Sequence, residues 1–176
     1  MDATQFKRLQ SAVDWAVWDT AASIRQEDRP GLRWAQGAWG TLLTADLVKS
    51  ENTDFLVARC TSTGCIAGSV VMNEGASMCV PRYAYDYVKR SGDQVMYVDR
   101  AITLDGKVVN IAIHAQELLG IRPTEAEHLF RSDNNISEVV GYAETLATRY
   151  GHTLDTDGKD YEFLRGRGHI STRELS

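Results

Sequence analysis

Cysteine is scarce in this sequence, and it has neither long hydrophobic runs nor an excess of basic residues. Three cysteines in 176 residues are too few for a small domain that depends on disulfides. The longest apolar stretches, such as residues 65–72, are too short and too interrupted by glycine and serine to span a bilayer. Residues 1–8 lack the apolar core behind a basic region that a secretory signal needs. We therefore expect a cytoplasmic protein with reduced thiols and no membrane contact.

The charge balance is acidic, because 19 lysines and arginines stand against 24 aspartates and glutamates, giving −5 at pH 7. Binding to a phosphate backbone needs a basic surface, so this composition counts against a general nucleic-acid binder. Glycine-rich phosphate-binding loops and the nucleophile elbow of hydrolases are absent, and the four histidines lack the spacing of metal ligands. The sequence therefore predicts no catalytic residue and no cofactor, and favours a protein that is not an enzyme.

Helical patterns dominate what is present. A first helix follows a cap at Asp2 or Thr4 and ends before Arg29, since the residue before a proline resists helical geometry. Capping residues and glycines predict three helices in the second half of the chain, over residues 111–119, 124–130 and 136–150. An apolar segment of small residues after Cys60 and a short segment from Leu42 to Val48 are also expected to be helical.

One hairpin is expected, because two β-type runs flank Asp105-Gly106. Alternation of Tyr83, Tyr85 and Tyr87 suggests a strand or an extended loop. The predicted fold is thus a mainly α, single compact helical domain over residues 1–151 with a small β-hairpin. Residues 152–176 are polar and glycine-rich, which predicts a flexible C-terminal tail.

The cysteines are weak candidates for a metal or thiol site. Cys60 and Cys65 lie five residues apart, and Cys79 follows fourteen residues later. Structural zinc usually takes four ligands in closely spaced pairs, and a second pair is missing here. A helix N-terminus would lower the pKa of a thiol at Cys60 or Cys65. Buried structural thiols are the favoured interpretation, with a metal- or thiol-binding protein as an alternative.

Residues 111–131 resemble a helix-turn-helix, which gives a second alternative function in DNA binding. The residues that would contact DNA are Arg122, Thr124 and Arg131. The charge argues against it, because residues 111–150 contain three arginines and six acidic residues. A helix in the major groove lies between two phosphate backbones, so an αα-hairpin within a core is favoured.

Trp34, Gln36 and Trp39 form a third group, in a segment with several glycines. Exposing two tryptophans to water is unfavourable, so this segment is either a plug in the core or a contact with a partner. The tyrosine segment 83–87 is the other candidate for partner contact.

The chain resembles small uncharacterised proteins of actinobacteria and their phages. The resemblance is carried by W-x-Q-x-x-W from Trp34, then C-x-S-x-x-C-I-A-G from Cys60, and it extends in order to residue 130. That family typically has C-G-T-x-x-C-[IV]-A-G, and this chain departs from it at Thr61 and Ser62. The resemblance implies origin and architecture rather than chemistry. We therefore expect a non-enzymatic accessory protein that binds a protein partner of a bacterial host, in the host cytoplasm if a phage encodes it.

Overall fold

The computed structural model of the chain describes residues 1–27, 33–36, 40–43, 47–49, 54–58, 63–92 and 95–171. Within them lie seven helices: α1 (Ala3–Ile24), α2 (Ile66–Asn73), α3 (Arg82–Ser91), α4 (Ile111–Leu119), α5 (Pro123–Leu129), α6 (Ile136–Arg149) and α7 (Lys159–Gly166). The same residues contain nine short strands: β1 (Arg33–Trp34), β2 (Gly40–Leu43), β3 (Leu47–Lys49), β4 (Phe55–Ala58), β5 (Thr63–Gly64), β6 (Ser77–Pro81), β7 (Val95–Val98), β8 (Arg100–Ile102) and β9 (Val108–Asn110).

The capping residues in the sequence predicted the positions of several helices correctly. The Asp2 carboxylate accepts the Gln5 N–H at 2.8 Å, and the Gln5 side chain accepts the Asp2 N–H at 2.7 Å, which fixes the start of α1. Asn110 caps α4, and Gly120 ends that helix in a left-handed conformation with φ of 61°. Asn135 caps α6. The predicted positions of these three helices are confirmed.

The predicted fold class is wrong, because the protein is a mixed α/β fold with two sheets. Five antiparallel strands form one sheet in the order β3-β4-β6-β8-β9. The second sheet has the order β1-β5-β2-β7, and β1 runs parallel to β5. The expected hairpin is present as β8 and β9, but it is one side of the larger sheet rather than an isolated element.

The central position of β6 explains why the larger sheet escaped prediction. β6 lies between β4 and β8, and Met78, Cys79 and Val80 are all buried. A strand covered on both faces shows no alternation of apolar and polar residues. A short continuous apolar run of this kind cannot be distinguished from a helical segment by periodicity. The same ambiguity affected Leu42 to Val48, where β2 and β3 stand in place of the expected helix.

The tyrosine segment is helical, so its prediction as a strand or loop is also wrong. α3 starts after Pro81, and the Arg82 N–H donates to the Asp54 carbonyl at 2.9 Å. Tyr83 and Tyr87 are four residues apart and both point to solvent, whereas Tyr85 packs against the core.

The buried residues form one hydrophobic cluster with α1 at its centre, in contact with α2, α4, α6 and α7. Leu154, Tyr161, Leu164 and Ile170 belong to that cluster. Residues 152–171 are therefore packed against the rest of the protein, contrary to the expected flexible tail, and residues 172–176 lie outside the described part. No helix in the described part of the chain combines the length and apolarity required to cross a bilayer.

Candidate functional site

β7 is the outermost strand of the four-stranded sheet, with β2 as its neighbour. Its side chains alternate, because Val95 and Tyr97 point to solvent while Met96 and Val98 enter the core. This alternation follows from the two-residue period of a strand that covers a core with one face. The other edge of β7 has no neighbouring strand among the described residues.

An apolar row extends along the outer face of β2 and β7. Leu43 lies opposite Val95 in the register, so the two side chains share a face. The exposed fractions are 41% for Leu43, 43% for Val95 and 80% for Tyr97. Ile113 of α4 is a fourth large apolar residue with high exposure, at 59%, and it lines the same cleft as Tyr97.

A cleft of about 940 Å³ separates β7 from α4 and α5. Both Tyr97 and Val98 line it, although their side chains point to opposite faces of the sheet. Among the described residues no β2 residue lines it, and Tyr97 and Val98 are the β7 residues that do, so the cleft lies beside the C-terminal half of β7. The helical wall contains Ala112, Ile113, Gln116, Pro123, Ala126, Glu127 and Phe130. We call the cleft together with Leu43, Val95, Tyr97 and Ile113 the β7 surface.

Gln36 lines the cleft as well, but its side chain is buried and serves the fold. Its amide nitrogen donates to the Leu129 carbonyl at 3.0 Å. Its amide oxygen accepts the Ile66 N–H at 3.4 Å. Gln36 thus links the end of α5 to the start of α2, satisfying backbone groups that helix ends leave open.

The rim of the cleft is mostly acidic. Arg131 forms two hydrogen bonds with Asp133, at 3.0 and 2.7 Å, so this pair is locally neutral. Asp99 and Glu127 remain, both exposed. The Arg100 guanidinium lies 3.9 Å from the Asp99 carboxylate, and because both side chains are exposed this ion pair contributes little.

Of the other predicted partner residues, Trp34 is half-buried against the core. Its backbone N–H donates to the Asp19 carboxylate at 2.9 Å, and its indole nitrogen is buried with no hydrogen-bond partner in the described part of the chain. This placement supports the interpretation of Trp34 as a core plug. Trp39 lies outside the described residues.

Tyr83 and Tyr87 are exposed but do not line the cleft. They flank a smaller groove of about 470 Å³ on α3, together with Ala84, Val88 and Arg90. Tyr85 faces inward and lies under Lys89, whose ammonium is 5.9 Å from the ring centroid. The predicted tyrosine segment therefore offers two side chains to a partner rather than three.

The two cysteines within the described residues are buried and separate. Cys65 precedes α2, and Cys79 lies in the central strand β6. Burial raises the pKa of the Cys65 thiol to about 11 and that of the Cys79 thiol to about 12. In the described part of the chain no three His, Cys, Asp or Glu residues are grouped to hold a metal, and Cys60 lies outside it.

These buried thiols give a simple prediction. In a Cys60→Ser variant, neither remaining cysteine is expected to react rapidly with a thiol reagent at pH 8, because little thiolate forms and access is blocked. Both should react within minutes in 8 M urea. Timed absorbance with Ellman's reagent measures this, and fast reaction of one equivalent in the native protein would contradict the burial.

The helix pair α4–α5 carries the residues of the DNA-binding alternative. Arg122 donates to Glu125 at 2.7 Å, and Arg131 is paired with Asp133. Thr124 is exposed beside them. Both arginines are thus partly neutralised, and Glu127 on the exposed side of α5 would repel phosphate.

Comparison of the chain with protein-family models, with curated proteins and with solved structures gives no match. The chemistry of the β7 surface therefore carries the functional argument. Of the residues in it, the sequence had singled out Gln36 as a partner contact and Arg131 as a DNA contact. Val95-Met96-Tyr97-Val98 is an uninterrupted apolar run, and nothing in such a run indicates which side chains face solvent.

Proposed function

We propose that this protein is an accessory protein without catalytic activity that acts by binding another protein through the β7 surface. The observation that carries this proposal is the row of exposed apolar side chains beside an open cleft. Water contact with such a patch is unfavourable, and large exposed patches rimmed by polar groups are typical of interaction sites. Tyr97 is the most exposed of the four residues, and tyrosine is enriched among residues that dominate binding energy.

The biological setting belongs to the same proposal. The resemblance of residues 34–130 to small actinobacterial and phage proteins supports an origin in an actinobacterium or its phage. A partner in the bacterial host cytoplasm is consistent with that origin and with reduced, buried thiols. The acidic net charge favours a protein partner over nucleic acid.

A site-specific cross-linker tests the proposal. We expect p-benzoylphenylalanine at position 97, irradiated in an actinobacterial lysate, to form one dominant adduct with a single host protein. The same group at position 104 is the matched control, since Leu104 is also an exposed apolar residue but lies in the β8–β9 hairpin loop. Mass spectrometry would identify the adduct and the cross-linked peptide.

The affinity of the purified pair then measures the contribution of the surface. Replacing Tyr97 by serine should weaken binding by about 30-fold, the effect of losing a residue worth about 2 kcal/mol. Leu104→Ser should leave it unchanged. Equal labelling from positions 97 and 104, or a Tyr97→Ser variant with the affinity of the wild type, would contradict the proposal.

A further inference from the structure

We propose that the partner inserts an extended, basic segment into the cleft, where it adds as a further strand to the edge of β7 that has no neighbouring strand among the described residues. This inference rests on the proposed function and specifies the part of the partner that β7 contacts. The edge of β7, the shape of the cleft and the charge around it support this inference.

The edge of β7 supplies the main-chain contacts. In an antiparallel pair, alternate residues direct their N–H and C=O groups away from the neighbouring strand. β2 takes one side of β7, and Tyr97 and Val98 line the cleft, so the outward groups at the end of β7 open toward the cleft. The Asp99 carbonyl already accepts the Ile111 N–H at 2.9 Å, so pairing with a new strand ends there. An added segment therefore pairs with β7 over at most four residues, beginning from Tyr97 and Val98 beside the cleft.

The cleft supplies the space for the side chains of the added strand. Tyr97 and Val98 point to opposite faces and both line the cleft, so the cavity reaches both faces of the strand edge. One set of side chains from the segment would lie beside Val95 and Tyr97. The other set would meet the apolar helical wall at Ala126 and Phe130. Small or medium apolar residues at alternate positions fit this arrangement, because a strand presents alternate side chains to each face.

Charge decides between the occupants that such an edge could take. Among the described residues, the lining contains three acidic residues, Asp99, Glu127 and Asp133, and one basic residue, Arg131. A second copy of this chain would bring the same acidic rim against itself across a two-fold axis, which is unfavourable. A segment with lysine or arginine next to its apolar residues is instead attracted by Asp99 and Glu127. The occupant with complementary charge is therefore a basic strand of another protein.

Fluorescence anisotropy with defined peptides tests this inference. The probe is a labelled ten-residue peptide that alternates lysine with valine. Two matched peptides replace lysine by glutamate, or methylate every backbone nitrogen of the lysine peptide, which removes the donors from both edges of the strand. We expect the lysine peptide to bind at least about tenfold more tightly than either, a difference of about 1.4 kcal/mol. The methylated peptide keeps charge and apolarity but cannot pair fully with a strand edge, so it isolates main-chain pairing.

Variants locate the binding site. A double variant, Asp99→Asn with Glu127→Gln, should remove the preference for lysine over glutamate, whereas Leu104→Ser should have no effect. Circular dichroism melting confirms that each variant folds. Equal binding of the three peptides, or loss of binding only in Leu104→Ser, would overturn the inference. A dimer in light scattering that Tyr97→Ser dissociates would also overturn it, in favour of a second copy. These failures leave the proposed function to be judged by the cross-link from position 97.

Discussion

Replacing Leu164 with alanine is expected to lower the free energy of unfolding by about 3 kcal/mol, within the range measured for buried leucines. Leu164 is fully buried in α7, the last helix of the described chain. The substitution removes apolar area from the core and leaves a cavity where α7 packs against α1. Because helix α7 is only eight residues long, it has little stability of its own and depends on this packing.

The contacts of α7 show why replacing Leu164 should destabilise the whole domain. Tyr161, one turn before Leu164, is buried, and its hydroxyl donates to the Asp14 carboxylate of α1 at 2.9 Å. α1 in turn contacts α2, α4 and α6. Loosening α7 therefore exposes one side of the central helix rather than releasing an independent segment.

Urea denaturation followed by circular dichroism measures the change, with Glu162→Ala as the control. Glu162 is exposed on the same helix, so its replacement should alter the unfolding free energy by no more than about 0.5 kcal/mol. A loss of less than about 1 kcal/mol in Leu164→Ala would mean that residues 152–171 do not contribute to the cooperative core.

The C-terminal segment also shows what limits prediction from the sequence. Helix α7 has only two buried residues, Tyr161 and Leu164, and its cap residue Gly158 provides no side-chain hydrogen bond. In the sequence, Tyr161, Phe163 and Leu164 stand among charged residues, and so short an apolar group does not distinguish a packed helix from a solvated tail. Helix α6 is the opposite case, since Asn135 and Glu138 cap it and six buried residues follow at helical spacing. Helices with local caps and long apolar stripes could be predicted, whereas α7 depends on tertiary contact.

The two sheets could not be predicted from the sequence because, like α7, most of their strands depend on tertiary contact. Each strand has two to five residues, and several pairing partners are far apart in sequence, as with β2 and β7. The pairs β3–β4 and β8–β9 are local, and of these two β8–β9 has the turn dipeptide of a tight hairpin, Asp105-Gly106. The candidate site inherits this difficulty, because Tyr97 is exposed only through the register between β7 and β2. Gln36 was a candidate because of the tryptophans near it in the sequence. In the structure its side chain instead joins the end of α5 to the start of α2.

Glu125 is the most highly bonded buried carboxylate among the described side chains. It accepts hydrogen bonds from the Arg122 backbone N–H at 2.8 Å, from the guanidinium groups of Arg122 and Arg149 at 2.7 and 2.6 Å, and from the Tyr150 hydroxyl at 2.7 Å. Burial alone would raise the pKa of Glu125, but these hydrogen bonds outweigh that effect and hold the pKa far below its usual range. The cluster joins the start of α5 to the end of α6.

Glu125→Gln is therefore expected to lower the free energy of unfolding at pH 7 by about 2 kcal/mol. The amide lacks the negative charge that attracts the two guanidinium groups, and its NH₂ group places a hydrogen-bond donor against their donors. The arginines are partly exposed and regain water, which keeps the loss below that of a fully buried pair.

The effect should depend on pH. A carboxylate whose pKa is depressed in the folded state stabilises the fold above its unfolded pKa of about 4.3, and that stabilisation is lost as the pH falls. The gap between wild type and variant should thus be constant above about pH 5 and narrow below about pH 4. Urea titrations at pH 7, 5 and 3.5 measure this difference in unfolding free energy.

Glu127→Gln is the control, because Glu127 is exposed and lies two residues along the same helix. Its unfolding free energy should equal that of the wild type at all three pH values. A gap in Glu125→Gln that stays constant down to pH 3.5 would assign the loss to altered packing instead of charge.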